Sequence, residues 1–287
     1  MVFESIISPL KAENKPLDML MLGAIYISLA ALLSMWIFPS QASLIMIFLT
    51  VIACVPLMVG IITTEEKKDV SDFNEVVLLK EHSKALSAFM LLFIGITLAI
   101  ALLYIVLPST VVSQLFNVQI ETISDMSHEI GAGVVGYASN SFSAFSNIFL
   151  NNMKVLMFCI LFSFLYGAGA IFILTWNASV IGVAIGNFIR SNLATISHLI
   201  GFEKFASYFS IISIGLMKYV LHGVPEILAY FTAGLAGGII SIAVIRHDFQ
   251  GKKFEHVVLD SADLILISIG LLFLAAILET WITPILF

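Results

Sequence analysis

Residues 207–245 read SYFSIISIGLMKYVLHGVPEILAYFTAGLAGGIISIAVI, an almost continuously apolar stretch with the polar interruption HGVPE at its centre. As one straight helix this stretch would extend roughly 58 Å, nearly twice the thickness of a hydrocarbon layer of about 30 Å. A break is therefore expected. Gly223 is suited to end one helix, while Pro225 and Glu226 match the residues preferred in the first turn of the next. The stretch predicts two membrane helices joined at HGVPE.

The rest of the chain has the same apolar character. Of its 287 residues, 60% are hydrophobic and 11% charged, a balance that excludes an ordinary soluble globular domain. Five further runs are long enough to cross a bilayer: Leu17–Phe38, Gln41–Ile62, Ala85–Leu107, Met153–Trp176 and Ala262–Ile282. The predicted fold class is an all-α polytopic membrane helix bundle, a single membrane domain over 1–287 with about six or seven crossings.

The region from 177 to 207 leaves the number of crossings open. The apolar piece NASVIGVAIGNFI, residues 177–189, ends at Arg190 and is short for a complete crossing. It is either a re-entrant half-helix or a short buried span. The re-entrant interpretation gives seven crossings, and six crossings are the alternative. Broken or re-entrant helices are therefore part of the prediction.

Lysine and arginine positions predict the orientation. Basic residues cluster in the segment 63–84, which is interpreted as a cytoplasmic loop with a short, solvated amphipathic helix that carries Glu81 and His82. Residues 108–152 contain no Lys or Arg and are predicted to face outward. Their apolar positions 112, 116, 120, 123, 126 and 130 have helical spacing, and packing on the bundle or bilayer is the expected use of that face. A multi-pass protein of the cell membrane with a cytoplasmic N-terminus follows.

Ionisable side chains near HGVPE form the strongest chemical feature of the sequence. Lys218 and His222 are four residues apart on one helical face, and Glu226 continues the stripe if the break is mild. Counting 1.5 Å per residue from the cytoplasmic ends puts Glu226 and Glu279 at the same outer level. The two interpretations are structural pairing with helix capping, and a binding or proton-handling site.

Signatures of catalysis are missing from the sequence. There is no H-E-x-x-H helix and no Gly-x-Ser-x-Gly elbow, and His222 with Glu226 lacks a third metal ligand. Cys54 and Cys159 lie inside apolar runs, where cysteine behaves as a small hydrophobe. No enzyme activity, cofactor, metal or nucleic-acid partner is expected.

Pairs of small residues four apart predict close helix contacts. Gly182 with Gly186 and Gly234 with Gly238 leave space for a neighbouring helix. Packing within the chain is the favoured interpretation, and a homo-oligomer interface is the alternative.

The order of four motifs resembles that of the stage II sporulation protein M family in its archaeal form. The motifs are FLNNMKVLMF (149–158), LYGAGA (165–170), WNASVIGVAIG (176–186) and LHGVPEILAYFTAGLAGG (221–238). The positions that match the family pattern are Asn151, Asn152, Lys154, Val155, Asn177, Gly182, His222, Gly223 and Glu226. The resemblance defines a family-motif core over 149–245. It implies a membrane scaffold without catalytic activity, because bacterial members hold cell-wall hydrolases at the engulfing membrane.

Two functions from different classes remain. The first is a scaffold or assembly factor with an unidentified membrane or extracytoplasmic protein partner, besides the lipid bilayer itself. The second is a secondary transporter or channel, motivated by the expected broken helices and by the ionisable cluster.

Overall fold

The computed structural model describes residues 7–69, 75–133, 141–166, 169–196, 201–245 and 252–286. Regular structure in these residues is helical, without a strand. The helices are α1 (Pro9–Asn14), α2 (Leu17–Ile37), α3 (Ala42–Asp69), α4 (Glu75–Val106), α5 (Ser109–Leu115), α6 (Asn117–Gly133), α7 (Ser141–Tyr166), α8 (Ala170–Thr195), α9 (Gly201–Ile245), α10 (Lys252–Ile277) and α11 (Thr283–Leu286). Within this described part, seven helices are long and apolar enough to cross a membrane, namely α2, α3, α4, α7, α8, α9 and α10. The predicted all-α polytopic bundle is confirmed.

Glycines bring the helix backbones into direct contact. A Cβ atom at Gly23 would overlap the carbonyl of Leu92, and one at Gly95 would overlap the carbonyl of Leu20, so α2 and α4 cross without intervening side chains. In a bilayer this close packing, rather than transfer of apolar surface from water, drives helix association.

The predicted small-residue pairs contribute to packing within the chain. A Cβ at Gly182 would lie 2.8 Å from the Thr97 carbonyl oxygen, and one at Gly186 would lie 2.7 Å from Cβ of Tyr104, so both glycines face α4. On α9, a Cβ at Gly234 would lie 3.1 Å from Cβ of Ala170 on α8. These contacts agree with the favoured interpretation of the glycine spacing.

The outer segment docks on the bundle through its apolar stripe. Val112 on α5 and Phe116 at the α5–α6 junction are 5% and 0% exposed. Gln119 on α6 is fully buried, where it accepts a hydrogen bond from Ser43 (2.6 Å) and donates one to Ser179 (3.2 Å). Positions 126 and 130 of the predicted stripe lie outside the residues whose side chains are described. Residues 141–152 of the segment that is predicted to face outward belong to α7, a helix long and apolar enough to cross a membrane.

The expected break at HGVPE is wrong. α9 is one helix of 45 residues with Pro225 inside it. Proline removes the N–H that would bond to the carbonyl four residues earlier, here that of Leu221, but membrane helices tolerate this loss where neighbouring groups compensate. Gly223 accordingly lies in the interior of α9 and does not end a helix.

The predicted span Met153–Trp176 is also wrong. It joins the second half of α7 to the first turns of α8, because α7 ends at Tyr166 and α8 has Gly169 as its N-cap. The glycines of LYGAGA separate two helices that hydropathy alone had merged. The apolar piece 177–189 is consequently the middle of a complete helix of 26 residues, and it is not re-entrant.

The segment 63–84 does not form a separate loop helix. Residues 63–69 continue α3, residues 75–84 begin α4, and residues 70–74 lie outside the described part. Both helices therefore continue past their apolar runs into charged turns, where their side chains meet, as described below.

Candidate functional site

A stripe of polar side chains on α9 forms the first candidate site. Lys218, His222, Glu226 and Tyr230 follow one another at four-residue spacing, and because α9 is continuous they share one helical face. Tyr230 is almost fully buried and donates a hydrogen bond of 2.9 Å to Oε1 of Glu226. The predicted stripe is present and gains Tyr230, which sequence reasoning had treated as an apolar position.

The carboxylates of Glu226 and Glu279, which the sequence predicts at the same level, interact electrostatically. Glu279 lies in a π-helical turn, Leu278–Ile282, which follows α10 and packs against α9. Its carboxylate interacts electrostatically with that of Glu226. Both side chains are only partly exposed, and among the described residues neither one forms an ion pair with Lys, Arg or His. The site is an acid pair with a phenol donor.

The basic members of the stripe do not neutralise this pair. Nζ of Lys218 lies 5.7 Å from the centroid of the Phe188 ring on α8, a cation–π arrangement that lies N-terminal to Glu226 along α9. Nδ1 of His222 is 3.5 Å from Oγ1 of Thr283, a distance at the limit of a hydrogen bond. No group of three or more potential metal ligands exists among the described residues.

An apolar cavity lies beside the stripe. It has a volume of about 70 Å³ between α4, α8 and α9, and its lining includes Phe93, Ile185, Tyr219 and Gly223. A Cβ at Gly223 would meet no atom within 4 Å, so this glycine faces open space. The space is apolar and therefore suits hydrocarbon better than water.

The other family-motif residues are spread over two helices. Asn152 on α7 is buried, whereas Asn151 and Lys154 on the same helix are exposed. Asn177 on α8 donates a hydrogen bond of 3.0 Å to the Ile173 carbonyl of its own helix. Gly182 packs against α4, as described above. The motif thus combines packing positions with an exposed polar pair on α7.

A second polar cluster, which sequence reasoning missed, joins α1, α3 and α4. Lys68 contacts Glu13 at 2.9 Å and Glu65 at 2.5 Å, and Nδ1 of His82 is 2.7 Å from the other oxygen of Glu65. Glu65 is fully buried and His82 is 2% exposed, so the expected solvated helix around Glu81 and His82 is wrong. Burial raises the pKa of the Glu13 carboxyl, while the Lys68 ammonium opposes the shift.

The sequence contains one signal for this cluster. Glu65 and Lys68 are three residues apart at the end of an apolar run, a spacing that allows an ion pair on one helix. The contacts with residues 13 and 82 depend on tertiary structure. This cluster, like the acid pair, provides no complete catalytic constellation.

Comparison with known proteins identifies the chain's relatives at the level of a family. No curated protein and no solved structure matches it. The family described as stage II sporulation protein M matches residues 87–284. This range contains α7 to α10, the acid pair and every motif position discussed above, and it is wider than the predicted core 149–245. Because the match covers more than half of the 287 residues, the chain belongs to the stage II sporulation protein M family.

Proposed function

We propose that this chain is a non-enzymatic membrane scaffold or assembly factor that holds a protein partner at the outer face of the cell membrane. The single observation that carries the proposal is the outer end of α9, which extends past the end of α4 with uncovered aromatic side chains. Family membership supports it, since the resemblance implies scaffolding without catalysis.

Arg190 on α8 marks the level at which α4 ends. Its guanidinium donates hydrogen bonds of 2.9 Å to the carbonyls of Tyr104 and Leu107 and to Oγ of Ser109, and so caps the C-terminus of α4. On α9, a Cβ at Gly215 would lie 2.9 Å from the ring of Phe188, two residues before Arg190. The α9 residues before Gly215 therefore lie past the level at which α4 ends, although α8 continues beside them to Thr195 and Ile211 still packs against the cluster that contains Ala101 and Ile189. The extension itself is residues 201–210, about 14 Å at 1.5 Å per residue.

Aromatic side chains cover this extension. Phe202, Phe205 and Phe209 are 83%, 67% and 70% exposed, and their i, i+3, i+7 spacing places them on one side of the helix. Exposed apolar patches of this kind mark interaction surfaces, and aromatic residues are enriched at the centres of protein interfaces. With the N-terminus in the cytoplasm, the extension faces outward, so the partner is an extracytoplasmic protein or domain.

Removal of the aromatic patch tests the proposal. The tagged chain and a variant with Phe202, Phe205 and Phe209 changed to Ser are purified from native membranes in mild detergent. We expect a stoichiometric companion with the unmodified chain and at least about a tenfold loss with the triple variant, because interface aromatics carry much of the binding free energy. Matched control changes are Glu203→Gln and Lys204→Gln on the same turns.

Two results would contradict the scaffold. One is an unmodified chain that is purified without any companion, and the other is a triple variant that retains the companion in full. A variant that is lost from the membrane is uninformative by itself, so the amount of inserted protein is measured in parallel. Because Phe202, Phe205 and Phe209 are all mostly exposed, serine at these positions is expected to leave insertion intact.

The transporter or channel retains one supporting observation, the adjacent carboxylates of Glu226 and Glu279. The broken helices that motivated it are absent, since α8 and α9 are continuous. Proton or cation flux into liposomes that contain the purified chain, abolished by Glu226→Gln, would favour transport over the scaffold. Absence of flux under every imposed gradient would leave the scaffold as the better explanation.

A further inference from the structure

The exposed face of α7 has an unusual composition for a membrane helix. In the most apolar stretch of α7 only 22% of the residues are buried inside the bundle, compared with 78% in the corresponding stretch of α9. α7 therefore lies at the periphery of the bundle. One side packs on α9 through Ile160 and Ser163, which approach Gly234 and Gly237, and Asn152 and Leu156 are also buried. The opposite side presents Leu150, Asn151, Lys154, Met157, Phe158 and Leu161, all of them exposed. We call these six residues the α7 face.

Lys154 lies near the middle of the bilayer. Trp281, a residue type that gathers at membrane interfaces, stacks on the ring of Phe145 with a centroid distance of 5.3 Å and so marks the level of Phe145. Lys154 follows Phe145 by nine residues, or about 14 Å along the helix axis, and precedes the end of α7 at Tyr166 by about 18 Å. In a hydrocarbon layer of about 30 Å, both distances exceed the length of a lysine side chain, so the Lys154 ammonium group does not reach either membrane–water interface.

Neither polar residue of the α7 face has a hydrogen-bond or ion-pair partner among the described residues. A lysine and an asparagine at this depth are costly against lipid, and such residues generally face another helix or a polar cavity. Four of the six residues of the α7 face are apolar, and so are the exposed residues of the last turn of α7, Phe162, Phe164 and Leu165, so a polar cavity is not what surrounds Lys154. A transmembrane helix with polar side chains would supply the hydrogen-bond and ion-pair partners that Lys154 and Asn151 lack.

We infer that the α7 face binds a transmembrane helix of a partner protein that carries a carboxylate opposite Lys154. The inference deepens the proposed scaffold function and rests on it for the existence of a partner. A second copy of this chain is a poor occupant, because a two-fold contact between α7 helices places Lys154 against its own equivalent. Leu150, Met157 and Leu161 supply apolar packing above and below the charge.

Site-specific photocrosslinking in native membranes tests the inference. A photoreactive amino acid is placed at Met157 on the α7 face, at Phe205 on the outer extension, and at Leu32 on α2 as a matched control. Leu32 is 69% exposed and Met157 64%, so both are equally open to lipid. We expect Met157 to crosslink to a peptide from a transmembrane segment with an Asp or Glu in its central third, and Leu32 to crosslink to lipid alone.

Lys154 variants then test the charge. Lys154→Leu is suited to lipid and is expected to insert and fold at least as well as the natural chain, yet to lose the Met157 crosslink about 3- to 30-fold, the range for interhelical polar contacts. Lys154→Arg should retain the crosslink. Lys154→Glu should abolish it, and changing the partner's carboxylate residue to Lys should restore it. Lys204→Leu, a lysine on the outer extension, is the control and should leave the crosslink intact.

The outcomes separate this inference from the scaffold proposal. Crosslinks at Phe205 with only lipid at Met157 would overturn the α7 inference and leave the scaffold in place. Crosslinking of Met157 to a second copy of the chain, or to a partner segment without a carboxylate, would also overturn it. Lipid alone at Met157 and Phe205 would count against both.

Discussion

At the scale of single residues, Lys68 is the cation that three carboxylates share. It lies 2.9 Å from Glu13, 2.5 Å from Glu65 and 3.4 Å from Glu81, and its side chain is only 17% exposed. The pairs fasten the short helix α1 to the ends of α3 and α4. Since Glu65 is fully buried, its charge depends on Lys68 and His82 for compensation.

Lys68→Met is therefore expected to destabilise the fold by about 3 kcal/mol, because it leaves buried carboxylates without their cation. The control is Lys84→Met, whose lysine is 41% exposed and paired with the partly exposed Glu81, and it should change the free energy of unfolding by less than about 1 kcal/mol. Cys54 and Cys159 are both fully buried, so their reaction with a thiol-specific dye during heating reports unfolding. Equal midpoints for the two variants would refute the shared-cation account.

The two motif glycines on α8 and α9 should respond differently to alanine. At Gly182 a methyl group would lie 2.8 Å from a backbone oxygen of α4, so Gly182→Ala must move a helix and is expected to be destabilising by about 1–3 kcal/mol. At Gly223 the methyl group meets nothing within 4 Å, and alanine favours a helix by about 0.8–1 kcal/mol over glycine. Gly223→Ala should leave the unfolding midpoint unchanged or higher, and a large decrease would mean that this glycine is needed for backbone conformation.

At the scale of elements, the continuity of α9 is what places the polar stripe and the outer extension on one rigid body. A distance measurement between spin labels tests it. Ser210 and Ile245 are both exposed and are separated by 35 residues, so a continuous helix puts their backbones about 52 Å apart. A distribution centred well below this value, and one that lengthens when Pro225 is replaced by Ala, would show a bend at HGVPE.

Most helices can be predicted from the sequence, but not those whose ends lack a polar or proline-containing flank. It predicted Leu17–Phe38 where α2 covers Leu17–Ile37, because a polar segment with proline flanks each end of that run. It merged α7 with α8, since a glycine pair in an apolar context gives no change in hydropathy. At Pro225 it applied a rule of soluble helices to a buried membrane helix, where packing against neighbours overrides local preference.

The candidate sites also contain some features that the sequence predicts and others that it does not. The shared level of Glu226 and Glu279 was predictable because it followed from helical rise counted from the cytoplasmic ends, and this count is unaffected by whether α9 bends. Tyr230 was not predicted, since an aromatic residue in an apolar run carries no sign of a hydrogen bond. The contact of Glu13 and His82 with the α3 terminus joins residues distant in the sequence, and no local pattern encodes it.

At the scale of the whole molecule, the number of crossings decides which faces a partner can reach. Four membrane-length helices, α7 to α10, separate the outer segment α5–α6 from the C-terminal turn α11. An even number of crossings returns the chain to the same side. Residues 113 and 285 should therefore share a compartment, whereas a molecule with one helix fewer would place them on opposite sides.

Cysteine labelling in intact cells tests both this parity and the orientation. Single cysteines replace Ser113, Ile285 and Ser83, all exposed, while the buried Cys54 and Cys159 should remain unreactive in the folded chain. Because basic residues cluster near Ser83, a membrane-impermeant maleimide is expected to label positions 113 and 285 from outside and position 83 only after permeabilisation. The reverse pattern would invert the molecule and turn the aromatic extension of α9 toward the cytoplasm, so the partner would have to be sought there. Labelling of position 113 but not of position 285 would instead show an odd number of crossings between them. In that case α7 and α9 would not both cross in the same direction, and the position of Lys154 at the periphery of the bundle would have to be abandoned.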